Sequence, residues 1–268
     1  MMWKKYLLFA LLFPCFALAN TSLWNYATIY QQNISNKNTY RLITFTNTKL
    51  NKTISFNVAS FTQKHYRALL VDQPNVLDYF SGLSVSSNTK KHHAVLGVNG
   101  GYFTPNYAPL GLYIINHHIL SSFNRSELLS GIVMINNHGQ LFIRERNAYY
   151  KNAKYAFQAG PFLLRSNGRY IKKSKPFTDR RTLLATTKNN HILVISTTPA
   201  TLAGVSYILK HYAKAFSEVG LKNAINLDGG TSTAMTLFFP NETPLVIPER
   251  LPVRTVLMFR LNEKSALN

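Results

Sequence analysis

This sequence has little cysteine and few acidic residues. The 268 residues include one cysteine, Cys15, which excludes a disulfide framework and any cysteine-based zinc site. Asp and Glu number 10 against 30 Lys and Arg, so the formal net charge is +20 at pH 7. Acid–base chemistry must therefore draw on a short list of carboxylates.

The apolar run near the N-terminus is too short to cross a membrane. It spans residues 6–16 and is interrupted by Pro14, whereas a spanning helix needs about 20 apolar residues. Two lysines precede it, and Ala17-Leu18-Ala19 follows with the small-x-small pattern that signal peptidase cleaves. We predict a signal peptide over residues 1–19, export to the periplasm or beyond, and no integral span after cleavage. Retention of the segment as an anchor is the alternative.

The basic surplus is concentrated in residues 144–181, where eleven Lys and Arg face only Glu145 and Asp179. Such a cluster attracts anions, and outside the cytoplasm these would be phosphate-bearing glycans, lipid head groups or nucleic acid. A solvated cationic face is the plainer interpretation. No helix-turn-helix, zinc-finger or RNA-binding pattern accompanies the charge, so we predict no nucleic-acid partner.

Most of the chain has the pattern of β-strands. Hydrophobic residues make up 46% of the sequence, enough for a core, and we predict a single domain over residues 20–268. Alternating β-branched and aromatic residues predict strands, among them residues 40–46, 53–60, 93–98, 110–115, 131–135 and 141–144. A short helix is predicted over residues 76–85, after Pro74.

One long helix is predicted over residues 199–219. Thr198 suits its N-cap, Pro199 suits its first position, and Gly220 suits its end. A buried strand over residues 224–227 follows it. This strand–helix–strand passage among hairpins predicts an α+β fold with a mixed, largely antiparallel sheet and few helices.

Four short elements combine a polar side chain with glycine or arginine. After predicted strands, glycines let backbone N–H groups approach a ligand, amides can bind hydroxyls, and a guanidinium can bind phosphate through two bonds. Each pattern alone is also common in turns or as surface charge. The elements are Asn99-Gly100-Gly101, Gln158-Ala159-Gly160, Arg180-Arg181-Thr182 and Asp228-Gly229-Gly230-Thr231-Ser232.

Other chemistries find no support. Four of the eight histidines occur as the neighbours His92-His93 and His117-His118, and neighbours on a strand point to opposite faces and do not make a metal site. The sequence has no Gly-x-Ser-x-Gly elbow and no Walker loop. We predict no metal site and no cofactor.

Taken together and in order, the elements resemble the phosphodiester glycosidase family over about residues 95–259. The residues that carry the resemblance are Asn99-Gly100-Gly101-Tyr102-Phe103, Gln158-Ala159-Gly160-Pro161, Arg181-Thr182, Asn226-Leu227-Asp228-Gly229-Gly230-Thr231-Ser232 and Glu249-Arg250. The sequence departs from the family pattern at Thr231, where a third glycine is usual, at Leu184-Ala185, and at Leu251, which separates Arg250 from Pro252.

The resemblance implies an exported hydrolase that cleaves a sugar-1-phosphodiester bond in a phosphorylated carbohydrate. It implies catalytic roles for Asp228, Arg181 and Glu249. Substrate-binding roles are implied for Asn99, Gly100, Gly101, Gln158, Gly160, Gly229, Gly230, Thr231, Ser232 and Arg250. Two alternatives stay open: a non-catalytic binder of anionic envelope glycans, and a conventional glycosidase. The sugar, the aglycone and the oligomeric state are not predicted.

Overall fold

A computed structural model describes residues 23–35, 38–74, 83–148 and 152–262. The predicted signal peptide, residues 1–19, lies outside these ranges, as does most of the helix predicted over residues 76–85. A helix does follow shortly after, α1 (Val85–Lys91), with Ser84 as its N-cap. No helix in the described ranges is long and apolar enough to cross a membrane.

The strands form three sheets. The first, in spatial order, contains β1 (Asn25–Ser35), β2 (Asn38–Asn47), β3 (Lys52–Thr62), β13 (His191–Ala200), β12 (Asp179–Thr187), β14 (Leu221–Asn226) and β11 (Phe162–Leu164). The second contains β7 (His118–Ser121), β6 (Tyr113–Ile115), β10 (Tyr155–Ala159), β8 (Gly131–Ile135) and β9 (Leu141–Glu145). The third contains β16 (Leu245–Ile247), β15 (Met235–Leu237), β5 (Leu96–Asn99), β17 (Thr255–Leu261) and β4 (Tyr66–Asp72).

The predicted predominance of antiparallel strands is confirmed, but the prediction of a mixed sheet is wrong for the described residues. Every strand pair described there is antiparallel. β13 and β14, which flank the helical passage, both pair with β12. They run parallel to each other but are not neighbours, so the crossover creates no parallel ladder.

The prediction of one long helix over residues 199–219 is also wrong. Thr198 and Pro199 belong to β13, at a register shift opposite β12 that leaves the proline outside the regular ladder. The helix α2 (Leu202–His211) begins three residues later, capped by the Thr201 side chain, which accepts a hydrogen bond from Gly204 N at 3.1 Å. A second short helix, α3 (Ala213–Phe216), follows.

Two large apolar cores hold these layers together. One lies between the sheets and contains buried side chains from all three. The other packs α2 and α3 against the first sheet, where the Phe216 ring stacks on Phe45 with centroids 5.8 Å apart. Val205, Leu209 and Phe216 of this passage are all buried, whereas Val219 is exposed.

An ion pair between Arg254 and Asp72 joins the adjacent ends of β17 and β4. The guanidinium donates to both carboxylate oxygens, at 2.5 and 2.8 Å, and the two side chains are 11% and 12% exposed. Arg254 also donates to the Tyr107 carbonyl oxygen at 2.8 Å, which holds the loop that follows β5. The pair thus anchors the segment that carries Gly100 and Gly101.

Removing one partner of this pair should destabilise the fold strongly. We expect Asp72→Ala to lower the free energy of unfolding by about 3 kcal/mol, because it leaves a buried guanidinium without its counter-charge. Arg165→Gln is the matched control: it breaks the more exposed pair with Glu145 and should change the free energy of unfolding by less than about 1 kcal/mol. Urea denaturation of both variants measures the difference, and similar values for both would contradict this account.

Candidate functional site

Asp228 lies two residues after the end of β14, where the first and third sheets approach each other. The connection is made by Asn99, the last residue of β5, whose side chain is 1% exposed. Its amide oxygen accepts from the Thr182 hydroxyl at 2.6 Å and from Ala234 N at 3.1 Å. Its amide nitrogen donates to the Asp228 carbonyl oxygen at 2.8 Å. Asn99 therefore fixes the backbone that carries Asp228. All its side-chain hydrogen bonds described above are made to other groups of the protein.

Gly100 and Gly101 serve close packing at the same place. Gly100 N donates to the Thr255 carbonyl oxygen at 2.8 Å, and a Cβ at Gly100 would collide with the Thr255 side chain. A Cβ at Gly101 would lie 2.6 Å from the Tyr113 hydroxyl oxygen. Both glycines are thus required by neighbouring side chains that crowd the start of this loop.

Tyr102 joins this loop to the segments that carry Gly160 and Asn226. No functional role is predicted for it from the sequence. Its hydroxyl donates to the Gly160 carbonyl oxygen at 2.6 Å and accepts from the Asn226 amide nitrogen at 2.8 Å. Burial, followed by the charge of Asp228, raises the pKa of Tyr102. The phenol therefore stays protonated and remains a donor. Its place directly after Gly100 and Gly101 in the motif is the feature of the sequence that could have indicated this role.

Gln158, in β10 of the second sheet, and Gly160, just after that strand, shape the side of the site that this sheet forms. Gln158 is fully buried; its amide oxygen accepts from Leu112 N and Asn124 N, and its nitrogen donates to the Asn124 and Leu129 carbonyl oxygens. These bonds use its hydrogen-bonding capacity on the backbone. Gly160 has a φ of +149°, and a Cβ there would collide with the Leu128 carbonyl oxygen. In this arrangement both residues shape the site without presenting a side chain to a ligand.

The Asp228 carboxylate is the acidic group of this region whose pKa is clearly shifted. Burial raises its pKa from 3.8 to about 6, although hydrogen bonds from Ser232 and from Gly229 N favour the ionised form. The Gly229 bond to Oδ1 measures 2.9 Å. A carboxylate of this pKa is mostly ionised at neutral pH, yet it takes up a proton more readily than an ordinary Asp does. Such a group suits nucleophilic or general-base chemistry.

Arg181 approaches the glycines that follow Asp228. Its Nε donates to the Ala200 carbonyl oxygen at 3.1 Å, and one terminal nitrogen donates to the Phe177 carbonyl oxygen at 3.4 Å. The other terminal nitrogen points toward Gly229, lying 3.9 Å from where a Cβ would stand. The guanidinium is therefore held by hydrogen bonds to backbone carbonyl oxygens, and its other terminal nitrogen faces the loop that carries Asp228 and Gly229.

Arg180 and Asp179 hold the next part of that loop. Arg180 donates to the Pro248 carbonyl oxygen at 3.1 Å and to the Gly230 carbonyl oxygen at 3.3 Å. Gly230 has a φ of +64° and packs against Asp179, whose carboxylate oxygen would lie 2.7 Å from a Cβ there. Asp179 also stabilises the charged forms of both arginines. In the sequence, Asp179 is recognisable only as one of the two acidic residues within the basic segment of residues 144–181.

Glu249, Arg250 and Thr231 lie at the edge of the site. Arg250 N donates to the Thr231 carbonyl oxygen at 2.7 Å, so the Glu249-Arg250 segment is joined to the Asp228 loop through the backbone. Glu249 Oε1 accepts from Val85 N, the first residue of α1, at 2.8 Å. The charge of Glu249 also acts on Arg180. Thr231 is exposed and Ser232 is buried.

The structure thus brings all the predicted site residues into one connected region, with differing exposure. Asp228 and Arg181 present functional groups around the glycines, whereas the side chains of Asn99 and Gln158 are committed to the protein itself. Within the described ranges, no group of three or more His, Cys, Asp or Glu side chains is placed to hold a metal ion.

The family model for phosphodiester glycosidases matches residues 92–260. The chain belongs to the phosphodiester glycosidase family. This confirms the resemblance found in the motifs, and the matched range contains every residue of the candidate site. No curated protein matches the chain in sequence.

Solved structures share the fold of this family member. The zebrafish N-acetylglucosamine-1-phosphodiester alpha-N-acetylglucosaminidase catalytic domain, auto-inhibited by its pro-peptide, is 16% identical with a TM-score of 0.57; the match covers 90% of this chain and 85% of that one. A hypothetical protein from Synechocystis is 13% identical with a TM-score of 0.62, over 84% and 62% of the two chains. A putative exported protein from Burkholderia pseudomallei is 11% identical with a TM-score of 0.51, over 82% and 74%.

The environment of Asp228 has a consequence for stability that depends on pH. Since its folded pKa lies above the unfolded value, the ionised carboxylate disfavours folding above about pH 6, and this penalty disappears as both states become protonated below 3.8. Asp228→Asn mimics the neutral form. We expect it to raise the free energy of unfolding at pH 8 by up to about 3 kcal/mol.

Denaturation at pH 8 and pH 4.5 checks this expectation, because the gain should shrink at the lower pH. Glu242→Gln, which removes one exposed carboxylate, is the control and should give no such gain. A destabilised Asp228→Asn at pH 8 would contradict the electrostatic account.

Proposed function

We propose that this family member hydrolyses the bond between the anomeric carbon of a sugar and a phosphodiester, in a phosphorylated glycan outside the cytoplasm. The observation that carries the proposal is the partly buried Asp228 carboxylate, with a pKa of about 6, in a loop whose next residue, Gly229, is approached by the fixed guanidinium of Arg181. Family membership supplies the reaction class, since the family hydrolyses phosphodiester-linked sugars. The basic surplus and the signal-like N-terminus support an anionic substrate met after export to the periplasm or beyond.

The proposed reaction has little need of a protein group that protonates the leaving group. A phosphodiester leaves the anomeric carbon as a stable anion, so a strong general acid is less necessary than in ordinary glycosidases, which use two carboxylates. The protein must instead stabilise charge on the departing phosphate. We assign this role to Arg181, whose free terminal nitrogen lies toward Gly229, with help from the Gly230 backbone and Arg250.

Asp228 is assigned to the anomeric carbon, as the nucleophile or as the base that activates water. The Asn99 bond to its carbonyl oxygen and the Gly229 bond to Oδ1 hold it in one orientation, which lowers the cost of organising the transition state. Glu249 stays in the proposal as the second carboxylate: Oε1 is held by α1, and Oε2 has no hydrogen-bond partner among the described residues. Sugar binding by the exposed Thr231 belongs to the same proposal, whereas the buried Ser232 supports the Asp228 carboxylate through a hydrogen bond.

A non-catalytic glycan binder and a conventional glycosidase are the competing functions. A binder has no need of a buried carboxylate whose pKa lies near the working pH, and such groups concentrate at catalytic sites. A conventional glycosidase places two carboxylates on either side of the scissile bond. The second carboxylate here, Glu249, lies at the edge of the site instead, where it accepts from Val85 N and acts electrostatically on Arg180. Both observations favour the phosphodiester reaction.

Asp228 is tested by activity and its pH dependence. Asp228→Asn should reduce release of reducing sugar from a sugar-1-phosphodiester by at least about 10³-fold, with the fold intact, because the variant cannot act as nucleophile or base. In the unmodified protein, kcat/KM should rise as pH passes through about 6, as the carboxylate ionises. Glu249→Gln keeps an acceptor for Val85 N and serves as the matched variant; it should lose less activity than Asp228→Asn. Full turnover by Asp228→Asn would refute the assignment.

Arg181 is tested by substrate charge. Arg181→Ala should lower kcat/KM for a sugar-1-phosphodiester by about 10²–10³-fold, because it removes the donor to the leaving phosphate. An aryl glycoside of the same sugar, which carries no phosphate, should be affected far less. Rates for both substrates in the variant and the unmodified protein give the comparison. Equal losses on the two substrates would show that Arg181 does not act on phosphate.

A further inference from the structure

A second group of cations surrounds a cavity far from Asp228. The cavity measures about 230 Å³, and its charged lining residues are Arg67, Lys154 and Arg260. The amides of Asn136 and Asn137 and the side chain of Tyr155 complete its polar wall. None of the residues that line it is acidic. Two larger cavities differ in this respect, since each includes at least one glutamate.

Two of these cations stand opposite each other in the sheet. Arg67 of β4 and Arg260 of β17 are direct partners in the antiparallel ladder, an arrangement that is unfavourable for like charges. At the other end of the same two strands, Arg254 is paired with Asp72. The positive charge of Arg260 also affects His92, whose pKa is lowered mainly by burial and secondly by Arg260. The structure therefore concentrates positive charge here without a compensating carboxylate among the lining residues.

The backbone at Arg67 is packed against a turn, and one terminal nitrogen of Arg260 lies 3.3 Å from His92 Nδ1. Gly139, in the turn between β8 and β9, has a φ of +74° and packs directly on Arg67, where a Cβ would lie 2.7 Å from the arginine Cβ. Its carbonyl oxygen accepts from Ala68 N at 2.8 Å. The Lys154 ammonium lies 5.5 Å from the centre of the Tyr155 ring. The turn and the two strands thus hold the three cations around one space.

We propose that this cavity is a binding site for a phosphate group. Guanidinium groups bind phosphate through pairs of charge-assisted hydrogen bonds, lysine adds a point charge, and the Asn137 amide can donate to a further oxygen. An anion between Arg67 and Arg260 would remove the repulsion that the ladder otherwise contains. The volume accommodates a phosphate with part of an attached group, so free phosphate and a phosphodiester of a polymer are both chemically suitable.

This site is separate from the one that contains Asp228. Asn99 pairs with Val256 at one end of β17, and Arg260 lies four residues further along that strand, a distance of about 14 Å at about 3.4 Å per residue. Hydrolysis at Asp228 plays no part in phosphate binding here. The two proposals can therefore fail independently.

The test measures phosphate binding by calorimetry, with ionic strength held constant by chloride, in the full chain carrying Arg181→Ala, so that phosphate held by Arg181 at the Asp228 site does not contribute. Arg67→Gln and Arg260→Gln should each weaken the affinity for inorganic phosphate by about tenfold or more. Without phosphate, both variants should unfold at the same or a higher temperature than the unmodified protein, because the repulsion is relieved. Lys173→Gln is the matched control: it removes one exposed positive charge from the basic segment, lines none of the three cavities, and should keep the affinity.

Unchanged phosphate affinity in Arg260→Gln, or an equal loss in Lys173→Gln, would overturn the proposal. Measurement with a poly(glycerol phosphate) chain distinguishes the sources. Tighter binding per phosphate than for inorganic phosphate assigns the site to a polymer, and equal binding assigns it to the free ion. Binding to phosphatidylglycerol vesicles with no binding to either soluble probe would also overturn it, in favour of a membrane surface.

Discussion

The candidate site depends on one buried amide. Asn99 ends a strand of the third sheet, and its side chain receives a hydroxyl from β12 of the first sheet and a backbone N–H from the segment before β15. The same side chain donates to the carbonyl oxygen of Asp228. An unsatisfied amide at this depth would be costly, so the two sheets and the loop that carries Asp228 are held in one arrangement. The orientation of the reactive carboxylate is a consequence of how the sheets pack.

Around that amide, most of the polar residues build the site rather than occupy it. Gln158, Tyr102 and Arg180 direct their hydrogen bonds to backbone carbonyl and N–H groups of the surrounding loops. Irregular backbone near the interior needs such partners, because loops lack the ladder bonds that satisfy strands. The result leaves a small number of groups, chiefly Asp228 and Arg181, for chemistry. Their rigidity comes from neighbours that themselves do not touch the reacting atoms.

The positive charge of the molecule is divided among surroundings with different consequences. Arg254 is neutralised by a buried carboxylate and acts in folding. Arg180 and Arg181 are held by carbonyl oxygens and electrostatically supported by Asp179 beside the Asp228 loop. Arg67 and Arg260 face each other across a ladder with no acidic residue lining the cavity between them. The net charge alone could indicate an anionic partner. Only the burial of each arginine and its partners in the structure distinguish the arginines that serve folding from those that could bind a ligand.

The sequence by itself determined the family, the strand-rich character and the positions of the site loops, because glycines, Asp228 and Arg181 stand next to apolar strands whatever their tertiary partners. It could not determine which polar side chains face a ligand. Asn99 and Gln158 look alike as accessible amides in the sequence, and only burial and long-range hydrogen bonds show that they bind backbone. The same limit applies to Pro199: local preference favoured a helix start, but pairing with β12 kept the segment in β13. Tertiary contacts decided these points because partners distant in sequence outweigh local preferences of a few tenths of a kcal/mol to about 1 kcal/mol.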